Sequence, residues 1–408
     1  MPLFYSSANE LVPISYYVKP TCLSRISGTS CGESKRNLFK THQMLRLGIL
    51  GLGEGRSTIS AALASDKYEL KMICDKNEEL CRQRAKEFDF SHYTSDYQQM
   101  LNDSDIDVIA IYTPDHLHAD HVKQALLHGK HVVCTKPFID DLSKAKELLS
   151  VQSQVNKKVF VGQSSRFFEP ARKQRVDFEE GLIGELITIE SHYHADHRWF
   201  LEKGWALQHS FKWLYGGLSH PTDFIRWYLP NIEEVMGYGM ISKNGKKAGL
   251  KNEDVMHFIF RSKDGRVARV SGAYTGPIQP AKRDSGMSCI LRGTEGASQA
   301  DYHELRYSIT DKTGEEKIIT WGDATLKYYF RFEGQSHHAG EYQNYLEYFA
   351  DSIDQNFTAY PDMIEGIGTI ALLQAMDKSL QTGKPVKITD VLNEFGLANI
   401  LSEKLVHH

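Results

Sequence analysis

The sequence predicts a doubly wound parallel α/β domain followed by an α+β domain with a large, open, mostly antiparallel sheet. Two patterns support this prediction. Between residues 45 and 163, short apolar runs of strand length alternate with segments of helical periodicity, which is typical of a parallel sheet covered by helices on both faces. Beyond Phe167 the runs become longer and alternate between apolar and polar residues, as in an antiparallel sheet with one solvated face.

In the first domain, strands are predicted from five apolar runs, at residues 45–51, 68–75, 107–114, 130–137 and 158–163. Helices are predicted at residues 77–88, 118–129 and 141–155, with Asn77 as the cap of the first. In the second domain, alternating segments predict strands at residues 185–195, 253–262, 266–274, 288–294 and 303–311. Because ligands of doubly wound sheets bind at the carboxyl ends of the strands, the residues that end each strand are the first candidates for a functional site.

Composition limits the possible partners. The 408 residues exceed what a single hydrophobic core usually supports, so two domains are expected. A net charge of -4 gives no basic excess for a nucleic acid or an anionic membrane, and no apolar stretch reaches the roughly 18 residues of a membrane span. Six dispersed cysteines without a C-x-x-C pair favour reduced thiols. We therefore expect a cytoplasmic protein without nucleic-acid or membrane partners.

The first strand runs into the sequence GLGEGRS. Gly51 and Gly53 occupy the first two positions of the pattern G-x-G-x-x-G, Gly55 comes one residue early, and Arg56 holds the third position. The two leading glycines would let the backbone turn tightly and approach a pyrophosphate at the amino end of the next helix. The second strand ends in Asp75, where a carboxylate accepts hydrogen bonds from an adenosine ribose.

These features predict a Rossmann domain that binds NAD, since the Asp75 carboxylate would repel the 2′-phosphate of NADP. Lys76 and Arg56 leave NADP open, because either cation would accommodate that phosphate. The structural alternative for Asp75 is a cap of the following helix. The sequence contains no G-x-x-x-x-G-K-[ST] run, so a phosphate-loop nucleotidase is not supported.

Several ordered motifs make the sequence resemble the Gfo/Idh/MocA family of NAD(P)-dependent oxidoreductases, which includes glucose-fructose oxidoreductase and inositol dehydrogenase. The motifs are GILGLGEGRS, ICDKNEELC, IYTPDHLHADHVKQALLHGKHVVCTKPF, VFVGQSSRFFEP, GLIGELITIE and GGLSHPTDFIRWYLP. The resemblance covers nearly all of residues 45–390. It implies a carbohydrate-like substrate and a second domain whose uncovered sheet face forms homodimers or homotetramers, which would also cover exposed apolar surface.

The chain therefore divides into four expected parts. They are a loosely structured N-terminal extension (1–43), a Rossmann dinucleotide-binding domain (44–165), an α+β substrate-binding and oligomerisation domain (166–390) and a C-terminal tail (391–408). The extension is expected because its residues show no sustained periodicity and are rich in Ser, Thr, Gly and Pro.

The resemblance assigns catalysis first to Lys136. Lys136 and Pro137 match the Glu-Lys-Pro turn of the family, with Thr135 in place of the glutamate. An ammonium beside a reacting hydroxyl stabilises the developing alkoxide and relays its proton, and desolvation would lower the lysine pKa. The structural alternative is a lysine that snorkels from a strand end.

His220 is the second catalytic candidate, because it matches the histidine of the family pattern D-x-G-x-H. Gly216 stands at the aspartate position and Leu218 at the position of the small residue. A histidine suits a general base for a hydroxyl group. Asp223 follows on the same predicted helix and would orient His220 in a substrate pocket, or else pair within the helix.

Further cofactor contacts follow from the resemblance. Thr113, Pro114 and His118 match the loop that the dinucleotide crosses, and Gln163 and Arg166 match a segment that approaches the nicotinamide. Each of these residues has a loop or helix-capping role as its structural alternative.

The strand around SHYHADHRWF supplies the remaining substrate candidates. Tyr193 or His194 would lie near the catalytic lysine, and Trp199 or Trp205 would stack on a pyranose face. In a strand, His192, His194 and Asp196 share one face, and such a set also suggests a metal site. Because the family generally uses no metal, we expect none.

The leading functional interpretation is a dehydrogenase that transfers hydride from a sugar, cyclitol or glycoside hydroxyl carbon to NAD. The alternative is a glycosidase or lyase with retained NAD, which oxidises a ring hydroxyl transiently and eliminates a neighbouring group. The absent aspartate and the histidine-rich strand motivate this alternative. A third interpretation is a non-catalytic dinucleotide sensor.

Overall fold

The structure, a computed structural model, describes residues 44–203, 207–208, 211–277, 280, 285–331 and 339–401. The extension expected at residues 1–43 and the last residues of the expected C-terminal tail lie outside this part. The chain from Met44 onward forms one compact unit. It is built around two sheets.

Among the described residues, the first sheet has six parallel strands in the order β3-β2-β1-β4-β5-β6. The strands are β1 (Leu45–Leu50), β2 (Tyr68–Cys74), β3 (Tyr93–Thr94), β4 (Val108–Ile111), β5 (His131–Thr135) and β6 (Val159–Gly162). The accompanying helices are α1 (Gly55–Ala64), α2 (Glu78–Glu87), α3 (Tyr97–Asn102), α4 (His118–Leu127) and α5 (Ala145–Gln154). The strand order reverses between β1 and β4, which opens a crevice at the carboxyl ends of these strands.

The local sequence explains these elements. All four residues of β4 are apolar and buried, as expected for a strand covered on both faces. Asn77 caps α2 as predicted, accepting a hydrogen bond from the Leu80 amide at 3.2 Å. Cys74 and Cys134 fill the core, and burial raises the pKa of the Cys74 thiol to about 12. The five predicted strands are confirmed, whereas β3 has only two residues and was missed.

One face of this sheet is covered by a helix from the far end of the chain, α11 (Gly340–Asp354). Tyr345 and Phe349 of this helix share an apolar cluster with the first sheet, and the Phe349 ring stacks on Phe160 of β6 with 5.7 Å between centroids. The boundary expected at residue 166 therefore needs a correction. By packing, α11 belongs with the nucleotide-binding sheet, because the apolar face of a parallel sheet must be covered.

Within the described residues, the second sheet has nine strands in the order β14-β13-β12-β11-β7-β10-β9-β8-β15. The strands are β7 (Leu186–Ala195), β8 (Ile232–Met240), β9 (Val255–Ser262), β10 (Val267–Ala273), β11 (Ser285–Gly293), β12 (Ala297–Asp301), β13 (Arg306–Thr310), β14 (Glu316–Thr320) and β15 (Val386–Lys387). The pair β7 and β10 is parallel, and the other neighbouring pairs are antiparallel.

Helices lie on one face of this second sheet, where α8 packs on β7, α12 on β8 and α6 on β12. The helices of this part are α6 (Glu169–Glu179), α7 (Trp213–Gly216), α8 (Ser219–Tyr228), α9 (Lys243–Ala248), α10 (Asp323–Tyr329), α12 (Met363–Thr382), α13 (Ile388–Glu394) and α14 (Ala398–Leu401). Phe258 and Phe260 of β9 point to the covered face and are buried, whereas Ile259 between them is 58% exposed. This confirms the predicted open sheet.

The expected C-terminal tail needs a correction. Residues 391–401 form the end of α13 and α14, and Leu401 is fully buried. Leu401 shares the main apolar cluster, so burial of its side chain holds this segment in place. Across the described residues, no helix combines the length and apolar character that a membrane crossing needs.

Candidate functional site

The three glycines of the first loop have three different environments. Gly51 has φ +88°, and a Cβ there would lie 2.5 Å from the Tyr112 carbonyl carbon. A Cβ on Gly53 would meet open space in the described structure, whereas one on Gly55 would lie 3.1 Å from Ile49 Cγ2. Gly51 therefore makes the tight turn, Gly53 leaves room for a ligand, and Gly55 allows the helix to approach the strand.

The amino end of α1 and Asp75 complete this loop. The helix begins at Gly55 without a side-chain cap at Glu54, and the amides of Arg56 and Ser57 donate to the Gly53 and Glu54 carbonyls at 3.4 and 3.1 Å. The positive end of the helix dipole lies beside Gly53. Asp75 accepts hydrogen bonds from the amides of Leu52 and Asn77, each at 2.9 Å. Its carboxylate is thus held at the mouth of the loop. The open backbone at Gly53 and the fixed Asp75 acceptor fit the pyrophosphate and ribose of a dinucleotide.

Arg56 is placed by an ion pair. Its Nε donates to Glu87 Oε1 at 2.6 Å, and Arg84 also pairs with Glu87 at 2.7 Å. Arg84 in turn donates from Nε to the Leu52 carbonyl at 3.1 Å. The Arg56 charge is therefore paired with the Glu87 carboxylate of α2. This ion pair connects the start of α1 to α2 and so stabilises the loop.

Lys136 extends from the end of β5 across to the second sheet. Its Nζ donates a hydrogen bond to the carbonyl oxygen of Gly216, at the end of α7. Burial lowers the pKa of Lys136, while the negative charges of Asp115 and Glu54 partly oppose this shift. A buried amine with a neutral hydrogen-bond acceptor is suited to exchanging a proton.

His118 was expected to contact the cofactor, and the structure corrects this prediction. The ring is fully buried, with Nδ1 2.7 Å from the Pro137 carbonyl oxygen and Nε2 2.7 Å from the Thr113 carbonyl oxygen. Both ring nitrogens are engaged by backbone, so His118 ties the loop after β4 to the turn that carries Lys136. The Thr113 hydroxyl oxygen lies 2.9 Å from His121 Nδ1, and Pro114 is exposed in the loop.

The half-buried His220 lies near the start of α8, where its Nδ1 is 3.3 Å from the hydroxyl oxygen of Ser165. Tyr193 of β7 lies beside it, with 6.1 Å between ring centroids. Tyr193 also contacts Tyr274, at 5.5 Å, and Trp213 stacks on Tyr274 at 4.7 Å. Together these rings form an aromatic wall next to His220.

Trp199 reaches this wall through His197, whose ring lies 5.8 Å from Trp199 and 5.5 Å from Trp213. The aromatic wall includes Tyr193, His197, Trp199, Trp213 and Tyr274. Of these five residues, the sequence predicted Tyr193 and Trp199 as substrate candidates. Trp213 and Tyr274 are 4% and 0% exposed, so they support the wall from the core. Trp205, the alternative to Trp199, lies outside the described residues.

The assignment of His194 to the substrate pocket is wrong. Its ring lies on the opposite face of β7 from Tyr193, with Nε2 3.3 Å from the Ser271 hydroxyl oxygen and its plane stacked on His192 at 4.9 Å. Successive strand residues point to opposite faces, so His194 belongs to the open face of the sheet. Among the described residues, no group of three or more His, Cys, Asp or Glu side chains is arranged to hold a metal ion.

Arg166 and Asp223 also need a correction. Arg166 donates to both Asp223 oxygens, at 2.5 and 2.7 Å, and to Glu365 at 3.3 Å. The three side chains are 4%, 0% and 8% exposed. A buried guanidinium needs carboxylate partners, so these residues satisfy one another and do not face a ligand.

Gln163, in contrast, remains a candidate for the nicotinamide side. It ends β6 and is 2% exposed, and its Oε1 has no hydrogen-bond partner in the part of the chain that the structure describes. A buried amide oxygen of this kind is suited to a ligand group.

The fold defines a class of protein with an NAD-binding Rossmann domain followed by a second α/β domain. The chain belongs to the Gfo/Idh/MocA oxidoreductase family. Residues 45–163 match the NAD-binding Rossmann fold of the family, and residues 177–388 match its C-terminal alpha/beta domain. The resemblance seen in the motifs is thereby confirmed, and so is NAD as the cofactor type.

Levoglucosan dehydrogenase of Pseudarthrobacter phenanthrenivorans is 29% identical over 163 residues, which cover 38% of this chain and 42% of that protein. The chain spans 26 to 42% of the length of the first three curated relatives that it matches.

Two solved structures show the same fold. An oxidoreductase from Agrobacterium radiobacter in complex with NAD+, L-tartaric acid and magnesium gives a TM-score of 0.75 at 19% identity, covering 86% of this chain and 100% of the other. Levoglucosan dehydrogenase in complex with NADH and levoglucosan gives 0.74 at 21% identity, covering 85% and 100%.

Proposed function

We propose that the protein is an NAD-dependent dehydrogenase that acts on a secondary hydroxyl group of a sugar, cyclitol or glycoside. The observation that carries the proposal is the amine of the half-buried Lys136, which directly follows β5 of the nucleotide-binding sheet and hydrogen-bonds to Gly216 beside the aromatic wall. Family membership supports the proposal, and so does the similarity to a dehydrogenase of levoglucosan, an anhydrosugar.

The residues around the glycine loop would hold the cofactor. Gly51 and Gly53 give the backbone its approach to the pyrophosphate, the amino end of α1 supplies the positive end of the helix dipole, and Asp75 accepts from the ribose. When bound, NAD supplies the hydride acceptor at C4 of its nicotinamide. Gln163 is available for a polar group on that side of the site.

The acid-base chemistry falls to Lys136. Its lowered pKa increases the fraction of neutral amine, which accepts the proton of the substrate hydroxyl while the carbon loses its hydride. In the reverse direction, the ammonium returns the proton and stabilises the alkoxide. The half-buried rings of Tyr193 and Trp199 offer apolar faces on which the C–H face of a pyranose or cyclitol stacks, and the buried Trp213 and Tyr274 support them from the core.

The test is a panel of sugars, cyclitols and glycosides with NAD and NADP, read for both nicotinamide reduction and released product. Lys136→Met keeps the length of the side chain and removes the amine. We expect it to lower kcat by about a hundredfold or more with NAD affinity retained, as measured by calorimetry. Lys317→Met, on an exposed lysine of β14, is the matched control.

Three results would contradict the proposal in different ways. Unchanged turnover in Lys136→Met would remove the assigned base. Product release without net NADH would instead favour a lyase or glycosidase that retains NAD. Tight NAD binding without either activity would favour a sensor.

We further propose that the open face of the second sheet pairs with another copy of the chain. Tyr238 and Ile259 on this face are 67% and 58% exposed, and a flat sheet face with such residues is favourable for association. We also propose a cytoplasmic location, because Cys74, Cys81, Cys134 and Cys289 are all free and buried, which suits a reducing compartment.

A further inference from the structure

We propose that Ser165 is a positioning residue that fixes the ring of His220 toward the substrate. This inference rests on the proposed dehydrogenase function. It starts from one contact, in which the Ser165 hydroxyl oxygen lies 3.3 Å from His220 Nδ1. Ser165 is fully buried, whereas His220 is only half-buried, so the serine approaches the ring from the interior.

The backbone around Ser165 holds this contact in place. Ser165 belongs to the turn Ser164–Phe167, which directly follows the end of β6. The next residue, Arg166, binds both carboxylate oxygens of Asp223 at 2.5 and 2.7 Å. Asp223 lies on α8 three residues after His220, so both residues present their side chains to the same side of that helix. Ser165 and Arg166, two consecutive residues of the turn, thus contact two positions of α8 that are about one helical turn apart.

The buried ion pair between Arg166 and Asp223 fixes the position of the Ser165 hydroxyl relative to α8. A bidentate arginine–carboxylate contact fixes distance and orientation together, and Glu365 holds the same guanidinium from α12 at 3.3 Å. Because the ion pair leaves the turn little freedom to move relative to α8, the Ser165 hydroxyl stays within reach of Nδ1.

The chemistry of a hydroxyl partner differs from that of a carboxylate. A serine hydroxyl both donates and accepts, so it supports either neutral tautomer of the imidazole without adding a negative charge. Gly216, four residues before His220, contributes no side-chain charge either. Ser165 therefore orients the ring toward the substrate hydroxyl, and the transferred proton goes to Lys136.

A double-mutant cycle tests this role. We expect Ser165→Ala to lower kcat/KM about three- to tenfold, the range given by one neutral hydrogen bond. In a His220→Ala background the same change should cost less than about twofold, because the partner is already absent. Ser165→Thr, which keeps the hydroxyl, should restore most of the activity. Equal losses from Ser165→Ala in both backgrounds would overturn the inference.

Ser164→Ala is the matched control, since Ser164 is the adjacent buried serine of the same turn. It should leave kcat/KM near that of the parent. Thermal unfolding of all variants separates a loss of fold from a loss of orientation. A Ser164→Ala variant that loses as much activity as Ser165→Ala would show that the turn, and not the hydroxyl, carries the effect.

A spectroscopic readout keeps the test independent of turnover. In protein labelled with 15N-histidine, the His220 ring nitrogens are assigned by their absence in His220→Ala. Ser165→Ala should shift these signals and change their tautomer ratio, and Ser164→Ala should not. Identical His220 signals in the parent and Ser165→Ala would overturn the inference. A parent that turns over no substrate but shows the shift would contradict only the dehydrogenase function.

Discussion

The pKa of Lys136 is lowered by desolvation, and this shift determines the pH dependence that we expect for the proposed reaction. Lys136 is half-buried and donates to a backbone carbonyl, and desolvation disfavours its charged form, so the pKa falls below its usual value of 10.5. The proposed reaction uses the neutral amine as the base for hydroxyl oxidation. Lowering the pKa therefore makes the active form available at a lower pH.

We predict that kcat/KM for substrate oxidation rises with pH and levels off with a midpoint below 10.5. The sign follows because a neutral amine accumulates as pH rises through the pKa of Lys136. The measurement is a pH profile with saturating NAD, and the rising limb should disappear in Lys136→Met. A limb that persists unchanged in this variant would assign the titration to another group.

We propose that Asp75 determines the preference for NAD over NADP. Its carboxylate is fixed by the Leu52 and Asn77 amides, and Arg56 is paired with Glu87. We predict that the parent binds NAD at least about tenfold more tightly than NADP, because the 2′-phosphate would meet a fixed negative charge.

Asp75→Ala should weaken NAD binding and reduce the difference in affinity between NAD and NADP, as measured by isothermal calorimetry with both nucleotides. Asp66→Ala, at an exposed aspartate, serves as the control and should change neither affinity. Equal affinity of the parent for both nucleotides would refute the assigned role of Asp75.

At the scale of elements, the buried cluster of Arg166, Asp223, Arg226 and Glu365 joins the turn after β6 to α8 and α12. Arg226 adds contacts from α8 to the Glu365 carbonyl and the Thr369 hydroxyl, each at 2.7 Å. These helices lie over the second sheet, whereas the turn leaves the first. The cluster therefore fixes the relation between the elements that carry Ser165 and His220.

We predict that Asp223→Ala lowers the free energy of unfolding by about 3 to 5 kcal/mol, because it leaves a buried guanidinium without its main partner. Replacing both partners, as Arg166→Met with Asp223→Leu, should cost less than Asp223→Ala alone. Denaturant unfolding measures the free energy of unfolding of the single and the double variant. Asp377→Ala, which breaks a more exposed pair with Lys212, is the control and should cost less than about 1 kcal/mol.

The sequence predicted the elements whose signal is local. Strands such as β4 and β5 are uninterrupted apolar runs between helix signals, and Asn77 is a cap by its own chemistry. The strand β8 was missed because its sequence IEEVMGYGM mixes two glutamates with two glycines. The position of α11 on the first sheet was also missed, because packing between segments roughly 200 residues apart leaves no periodic trace in either segment.

The candidate site shows the same limit. Alternation correctly placed Tyr193 and His194 on opposite faces of a strand, but only the packing of α8 on β7 shows which face is covered. Arg166 and Asp223 lie in motifs next to site residues, and a motif does not distinguish a ligand contact from a buried pair. The Gly216 carbonyl that binds Lys136 is invisible to sequence reasoning, because every residue carries a carbonyl.

The candidate site combines residues from both halves of the molecule. Lys136 and Ser165 follow strands of the first sheet, and their partners Gly216 and His220 belong to the helices of the second. The helices cover only one face of the second sheet, and its other face is open. On that open face, Glu190 pairs with Arg269 and with Arg292, so opposite charges are interspersed with the exposed apolar residues.

We predict that the parent protein is a homodimer or homotetramer and that Ile259→Glu separates it into smaller species. Ile259 lies in the middle of β9, opposite Met236 and Arg269 on the neighbouring strands. Arg269 is already paired with Glu190, so a carboxylate buried at position 259 in an interface is costly. Leu127→Glu, at the end of α4, is the matched control because Leu127 is 59% exposed against 58% for Ile259. Size-exclusion chromatography with light scattering gives the masses. A monomeric parent, or an Ile259→Glu variant with the parent's mass, would show that this face does not carry the association.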